Sequence, residues 1–386
     1  MRTRKAIVLA LLLLPFAAGC SPSPGGAARA IEVSEASLHV YAGDSLLYDI
    51  RHVLPGRNGE MWVLSALEPF VYRFSTAGRI QARFGRQGKG PGELLNPWSL
   101  APVPGTDGVG VWDVGRHGLT VYDRAGVLTA SRQVPLRTGT VRGDIRQISY
   151  GEPYKLRAAA GGMVVQVPAG SVSQPADLYS SVLLRLRDDG TPGDTLISFR
   201  GMRAAAGLGQ AQALVPVPLW TTCPGGEVVV FEAARQTVHR FPARGAARRE
   251  QLRIPTRALG EDDIRPYLRR MLEQETREQN LAAPEIDRLV GTLLGSTREM
   301  FGARTPAAVD LLCDGDGSLW LNQFSTRDHP VGYGREWLVF RGTRLLRRVT
   351  FPAGFRAAHV EGNRVSGTFT DGDDVQHPAV ATLPAR

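Results

Sequence analysis

Residues 84–127 read FGRQGKGPGELLNPWSLAPVPGTDGVGVWDVGRHGLTVYDRAGV. The opening glycines, Gly85, Gly88, Gly90 and Gly92, suit a loop whose backbone must visit positive φ. Pro97 then introduces a strand, a place where its missing N–H costs no ladder bond. Gly105-Thr106-Asp107-Gly108 is a tight-turn sequence. Val111-Trp112-Asp113 and Val121-Tyr122-Asp123 follow on alternating segments, each running into a glycine-containing turn. The stretch is therefore a loop followed by a meander of short antiparallel strands, with no helical periodicity.

The same unit recurs along the chain. The turn and the strand after it appear as GRNGEMWVLS, GTDGVGVWDV, AAGGMVVQVP, CPGGEVVVFE, CDGDGSLWLN and VEGNRVSGTF. The next strand appears as FVYRFSTAGRI, GLTVYDRAGVL, VLLRLRDDGTP, TVHRFPARGAA and WLVFRGTRLL. Gly59, Gly108, Gly161, Gly226, Gly317 and Gly362 mark the turns at intervals near the length of a propeller blade, except where insertions lengthen them. The expected fold is all-β: a six-bladed β-propeller. Its last unit, Phe355 to Leu383, lacks an outer strand, and the spare strand Ile31 to Tyr41 is expected to supply it and close the ring. Trp62, Trp112 and Trp320 hold matching places in three units and are expected to pack between blades.

The G-x-G-P-G-E-L loop, the proline before the first strand and the V-W-D and V-Y-D-x-x-G strands of residues 84–127 resemble an NHL-type repeat. The same pattern is found in bacterial six-bladed propeller lipoproteins. The resemblance implies the fold and says little about activity, because such propellers host binding modules and enzymes alike.

One segment departs from the β pattern. Between Gly260 and Leu294 the apolar residues Ile264, Leu268, Met271, Leu272, Ile286, Leu289, Val290, Leu293 and Leu294 take helical spacing. Acidic residues open the first run and Pro284 enters the second, both helix-start signals. This predicts a helical hairpin inserted between blades 4 and 5 over residues 256–303.

The composition, with 43% hydrophobic and 22% charged residues among 386, excludes a disordered chain and a polytopic membrane protein. The N-terminus carries an export pattern. MRTRK is followed by the apolar run AIVLALLLLPF, too short to span a bilayer, and then by Ala17-Ala18-Gly19-Cys20. That ending resembles the bacterial lipobox, with Ala17 where leucine is usual. It implies a signal peptide over 1–19, lipid attachment at Cys20, a flexible tether over 20–30 and a propeller over 31–386. The net charge is +9, and Arg2, Arg4 and Lys5 supply three of the nine, which leaves +6 for the chain from Cys20 on. Nearly all the cations are arginine, a composition bias rather than a nucleic-acid signature. Cys223 and Cys313 carry no metal-site spacing; an even pair in an oxidising compartment permits a disulfide, but inner strands splay around a channel, and the balance leans to free thiols.

Catalytic signatures are missing. The loop Gly85–Gly92 fails both phosphate-loop templates, since Gly90 follows Lys89 and Glu93 stands where a third glycine is needed. Asp314-Gly315-Asp316-Gly317 opens like a calcium loop but runs straight into a strand. His39, His52, His117, His239, His329, His359 and His377 are scattered, with no H-E-x-x-H and no G-x-S-x-G. Lactonase-type propellers hold a metal in the channel through Glu, Asn and Asp; nothing in the spacing selects Glu60, Asn322 or Asn363 for that role.

The expected function is a lipid-anchored, non-catalytic binding or scaffold module of the bacterial envelope. Its partners are the membrane, through the anchor, and an envelope ligand or protein; nucleic acid is not among them. The ligand is placed at the channel mouth, on the rim that also carries the helical insertion. Arg142, Arg146 and Arg157 are the candidate ligand-binding residues, because guanidinium groups grip carboxylates and phosphates bidentately. The alternative is a propeller hydrolase or lactonase with a divalent cation in the channel.

Overall fold

The computed structural model describes residues 28–384 apart from 42–46, 48, 104, 117, 134–139, 142–147, 151–154, 160–161, 172–178, 188–191, 203–217, 277–279, 298–302 and 329–331. Six antiparallel sheets follow one another around a ring, each laid out as a meander from the channel outward. Blade 1 consists of Ile50–Pro55, Met61–Ser65, Val71–Phe74 and Ile80–Phe84. The inner strands of blades 2 to 6 are Pro97–Pro102, Lys155–Ala159, Leu219–Thr222, Asp310–Cys313 and Phe355–Glu361. Blade 3 departs from the four-strand plan. Its long second strand, Gly162–Ser171, pairs with Lys155–Ala159 at one end and with Ile148–Tyr150 at the other.

Six apolar cores hold the blades, one at each blade–blade boundary. Trp62 packs with Leu94, Leu100, Val109 and Val111 between blades 1 and 2. Trp112 meets Val165, Val182 and Leu184 between blades 2 and 3, and Trp220 meets Val164 and Leu183 between blades 3 and 4. Phe231 and Leu321 share the next core, Trp320 and Val365 the one after, and Val380 and Val63 the last. The repeated tryptophans are thus inter-blade packing, as expected from their matching positions. A second strand such as Met61–Ser65 or Val109–Asp113 is buried at all five positions because each of its faces meets a neighbouring blade. Such strands therefore read as near-continuous apolar runs.

Polar groups at the turns repeat as well. Glu60, directly after one turn, pairs with Arg73 at 2.7 Å, and Glu227 pairs with Arg240 at 2.7 Å in the equivalent place of blade 4. Each then reaches the following blade: Arg124 of blade 2 joins Glu60 at 2.5 Å, and Arg240 donates to the Gly317 carbonyl of blade 5. The carboxylate of buried Asp314 accepts from the N–H of Gly315 and, at 2.9 Å, from the N–H of Gly362 in blade 6. Asp316 accepts from Ser318 N–H and pairs with Arg341. The D-G-D-G stretch is hairpin chemistry.

The ring closes through its N-terminus, in a form that differs from the expectation. Leu38–Val40 pairs antiparallel with Gln376–Thr382 and completes blade 6. The preceding strand, Arg29–Glu32, instead pairs in parallel with the outer strand of blade 5, Arg344–Thr350. A 3-10 turn over Glu35–Ser37 separates the two pieces. The division follows from burial, since Ile31 and Val33 fill the core between blades 5 and 6 and Tyr41 fills the one between blades 6 and 1.

The predicted insertion is helical over Glu261–Glu275 (α1) and Ala283–Thr297 (α2). Ile264, Leu268, Met271, Leu272, Ile286, Val290 and Leu294 are buried between them, with Tyr267 and with Phe324 from the end of a blade 5 strand.

The cysteine expectation is corrected. Cys223 and Cys313 are joined by a disulfide, with Cα atoms 5.0 Å apart. Both follow the C-terminal ends of inner strands in successive blades, and there those strands converge instead of splaying. The bond closes a loop across 90 positions. Replacing both cysteines by serine is expected to lower stability by about 2–4 kcal/mol, as for other long-loop crosslinks. Urea denaturation checks this, together with a mass shift on alkylation that appears only after reduction.

Candidate functional site

All six inner strands run in the same direction around the channel, so their C-terminal ends and the turns that follow gather at one rim. There they enclose a cavity of about 750 Å³. Its wall is built from His52–Met61 of blade 1, Leu100–Pro102, Arg157–Ala159, Thr221–Gly226, Leu312, Cys313 and Gly315, and Ala358–Glu361 with Arg364 and Ser366. The disulfide stands in this wall. The helical insertion joins an outer strand to the start of the next inner strand, so it lies at the opposite rim. The cavity is therefore not the mouth on which the insertion sits, contrary to the expectation that placed ligand and insertion together.

Arg157 lies midway along the inner strand of blade 3 and lines the cavity. Arg142, Arg146 and Cys20 lie outside the described residues. Burial pulls the Arg157 guanidinium below its ordinary value, and the charge of Asp310, at the start of the blade 5 inner strand, opposes that shift. Its Nε is buried without a hydrogen-bond partner. On blade 6, Arg356 stands 4.1 Å over the ring of Tyr333, a cation–π contact. Burial raises the Tyr333 phenol, Arg356 pulls it back and Asp310 adds to the rise. The charge of one carboxylate from blade 5 thus acts on arginines from both blade 3 and blade 6.

The electrostatics of the cavity wall favour an anion. Arg57, Arg157 and Arg364 line it against the carboxylates of Glu60 and Glu361. Glu60 is already held by Arg73 and Arg124, and Arg57 pairs with Asp107 at 2.5 Å. His52 accepts at Nδ1 from Leu100 N–H at 3.0 Å, which leaves the proton of a neutral ring on Nε2. Sequence reasoning missed Asp310, Tyr333, Arg356 and His359. They stand far apart in the chain, and the one local hint was the three polar residues Arg356, His359 and Glu361 in the inner strand FRAAHVE.

The opposite rim has its own geometry. Arg51 and Trp98 are the extra residues of bulges at matching places in the inner strands of blades 1 and 2. Bulges re-aim side chains in this way. The Arg51 guanidinium lies 5.4 Å from the Trp98 ring and donates to Asn96 and the Pro97 carbonyl.

The donor sets for a lactonase-type channel metal are not assembled. Asn322 is buried and its amide is bound to the Gly334 backbone in both directions. Asn363 donates to the Leu383 carbonyl, and Glu60 is neutralised by two arginines. Among the described residues, no three His, Cys, Asp or Glu side chains gather where they could hold a metal ion. The loop Gly85–Gly92 is closed on itself: Glu93 accepts from Gly90 N–H, Arg116 donates to the Gly90 and Glu93 carbonyls, and Tyr122 donates to Gly92.

His359 supplies a pH test. Burial lowers its pKa below 6.5; Glu361 and Asp314 oppose this, and Arg157 reinforces it. The folded protein therefore resists the proton that the unfolded chain accepts. The associated stability is present above about pH 6.5 and is lost as pH falls through the depressed folded value. Urea midpoints should hold steady from neutral to mildly basic pH and decline below pH 6.5, and His359→Gln should flatten that decline.

No family model matches this chain, and no curated protein matches it. Solved structures do. A protein from Bacteroides fragilis NCTC 9343, inferred to be exported, aligns with a TM-score of 0.52 and 9% identity over 92% of this chain and 99% of its own. A member of the DUF4221 family from Bacteroides vulgatus gives 0.48 and 9% over 92% and 100%. A gluconolactonase from Xanthomonas campestris gives 0.40 and 13% over 94% and 99%. The likeness to the Bacteroides fragilis protein is one of fold, and the sheet order makes this chain a six-bladed β-propeller.

Proposed function

We propose that this protein is an exported envelope lipoprotein, anchored through Cys20, that acts as a non-catalytic binding module and takes an anionic group of its ligand into the channel cavity. The resemblance of residues 84–127 to propeller lipoproteins and the lipobox-like Ala17–Cys20 support the address. The binding role rests chiefly on Arg157, a half-buried cation in the cavity wall whose buried Nε has no hydrogen-bond partner among the described residues. A buried donor left unmade costs free energy, about 1–3 kcal/mol, that an incoming acceptor recovers. Carboxylates of envelope glycans or peptides fit that chemistry and the cavity's size.

Isothermal titration with glucuronate, succinate and inorganic phosphate tests the site. Binding should weaken with added salt, and Arg157→Gln should reduce affinity about tenfold or more, the usual weight of a charge-assisted bond. An affinity unmoved by both changes would exclude the site. The address is tested separately. Metabolic fatty-acid labelling should mark the wild type and spare Cys20→Ser, and release of both into the soluble fraction would refute the anchor.

A further inference from the structure

The chain enters the fold on the outer wall of blade 5. Arg29 lies opposite Arg347 and Glu32 opposite Thr350 in the parallel pairing. Val33 N–H donates to the Thr350 carbonyl at 2.9 Å, and Ile31 and Val33 are buried in the core between blades 5 and 6. The point of entry is therefore fixed. From Cys20 to Arg29 the chain covers at most about 30 Å when fully extended. Three strand spacings of about 4.8 Å separate an outer strand from its inner strand, so half the ring's circumference exceeds about 45 Å even before the channel is counted. Such a tether cannot reach round the ring. Anchored at Cys20, the propeller keeps the blade 5 side of the ring next to the bilayer and the side of blades 1 and 2 away from it.

That wall carries unpaired positive charge. The outer strand of blade 4, Arg248–Gln251, and the residues flanking it expose Arg244, Arg248, Arg249 and Arg253. Blade 5 adds exposed Arg29 and Arg344. Several exposed arginines elsewhere are neutralised, as Arg86 is by Glu93, Arg257 by Asp263 and Arg265 by Glu261, while Arg79, Arg83 and Arg132 on blades 1 and 2 also lack an ion-pair partner among the described residues. Arg29, Arg244, Arg249, Arg253 and Arg344 have no ion-pair partner among the described residues. The carboxylates on the same wall are mostly engaged, Glu250 with Arg240 and Glu336 with Arg348, while Glu32 is exposed.

We infer that the outer wall of blades 4 and 5 is a docking surface for an anionic phospholipid bilayer, which holds the propeller on its side with both channel rims open to the aqueous phase. Arginines beside a lipid anchor are drawn to an anionic bilayer surface, each adding electrostatic attraction that fixes which wall of the anchored protein faces the membrane. The inference rests on the reading of Cys20 for orientation, but the patch itself is testable without the lipid.

The test uses the chain from residue 20 onward carrying Cys20→Ser, co-sedimented with vesicles of phosphatidylcholine alone or mixed with phosphatidylglycerol. Binding is expected only to the mixed vesicles and should be reversed by salt. Joint replacement of Arg244, Arg249 and Arg253 by Gln should weaken it more than about tenfold. The control replaces Arg79, Arg83 and Arg132, exposed on blades 1 and 2 across the ring, and should leave binding near wild type. All six positions are exposed, so thermal melts should match for both variants. No preference for phosphatidylglycerol, or equal loss in the two triple variants, would overturn the docking surface. Failure of fatty-acid labelling with the vesicle result intact would overturn the anchor alone.

Discussion

A propeller ring has no free end, and closure is the constraint on which the rest of this structure depends. Each blade buries both faces, so a missing strand anywhere would leave an apolar face and a strand edge in water. The last blade lacks an outer strand of its own, and Leu38–Val40 supplies it from the other end of the chain. The segment ahead of it extends the seal by adding a fifth strand to blade 5. Two boundaries are thereby tied to the N-terminus, through Ile31 and Val33 on one side and Tyr41 on the other. The disulfide ties the boundary between blades 4 and 5, next to the point where the helical insertion interrupts the repeat.

Closure also decides where chemistry can occur. The inter-blade cores consume nearly all the large apolar side chains, so polar side chains meet either at the turns or in the channel. At the turns they are paired off, as with Glu60, Asp314 and Asp113, whose carboxylate accepts from Leu95, Asn96 and Arg116 N–H groups. In the channel they are not fully paired. The charge of Asp310 acts on both Arg157 and Arg356, and Arg157 and Arg364 line the cavity opposite Glu361.

Much of this was legible in the sequence because a repeat is a local pattern. The turn glycines, the alternation after them and the recurring tryptophans each need only a few neighbouring residues to be read, and those among the described residues keep their expected places in the ring. The helical insertion was legible for the same reason, since nine apolar positions at helical spacing specify two packed faces. The N-terminal strand was recognised as the ring closure, but its division between blades 5 and 6 was not, because both halves alternate alike and only the two boundary cores distinguish them.

The sequence by itself determined the blade count and the place of the insertion, since these follow from short-range periodicity and turn chemistry. Tertiary structure alone decided which residues meet. Arg157, Asp310, Tyr333, Arg356 and His359 come from three blades, and no spacing in the chain relates them until the ring closes. The same holds for Cys223 and Cys313, whose strands had been expected to splay and instead approach within 5.0 Å. The convergence of inner strands at one rim is a property of the closed circle: each blade's position is set by its neighbours, and the channel wall exists only when all six are present.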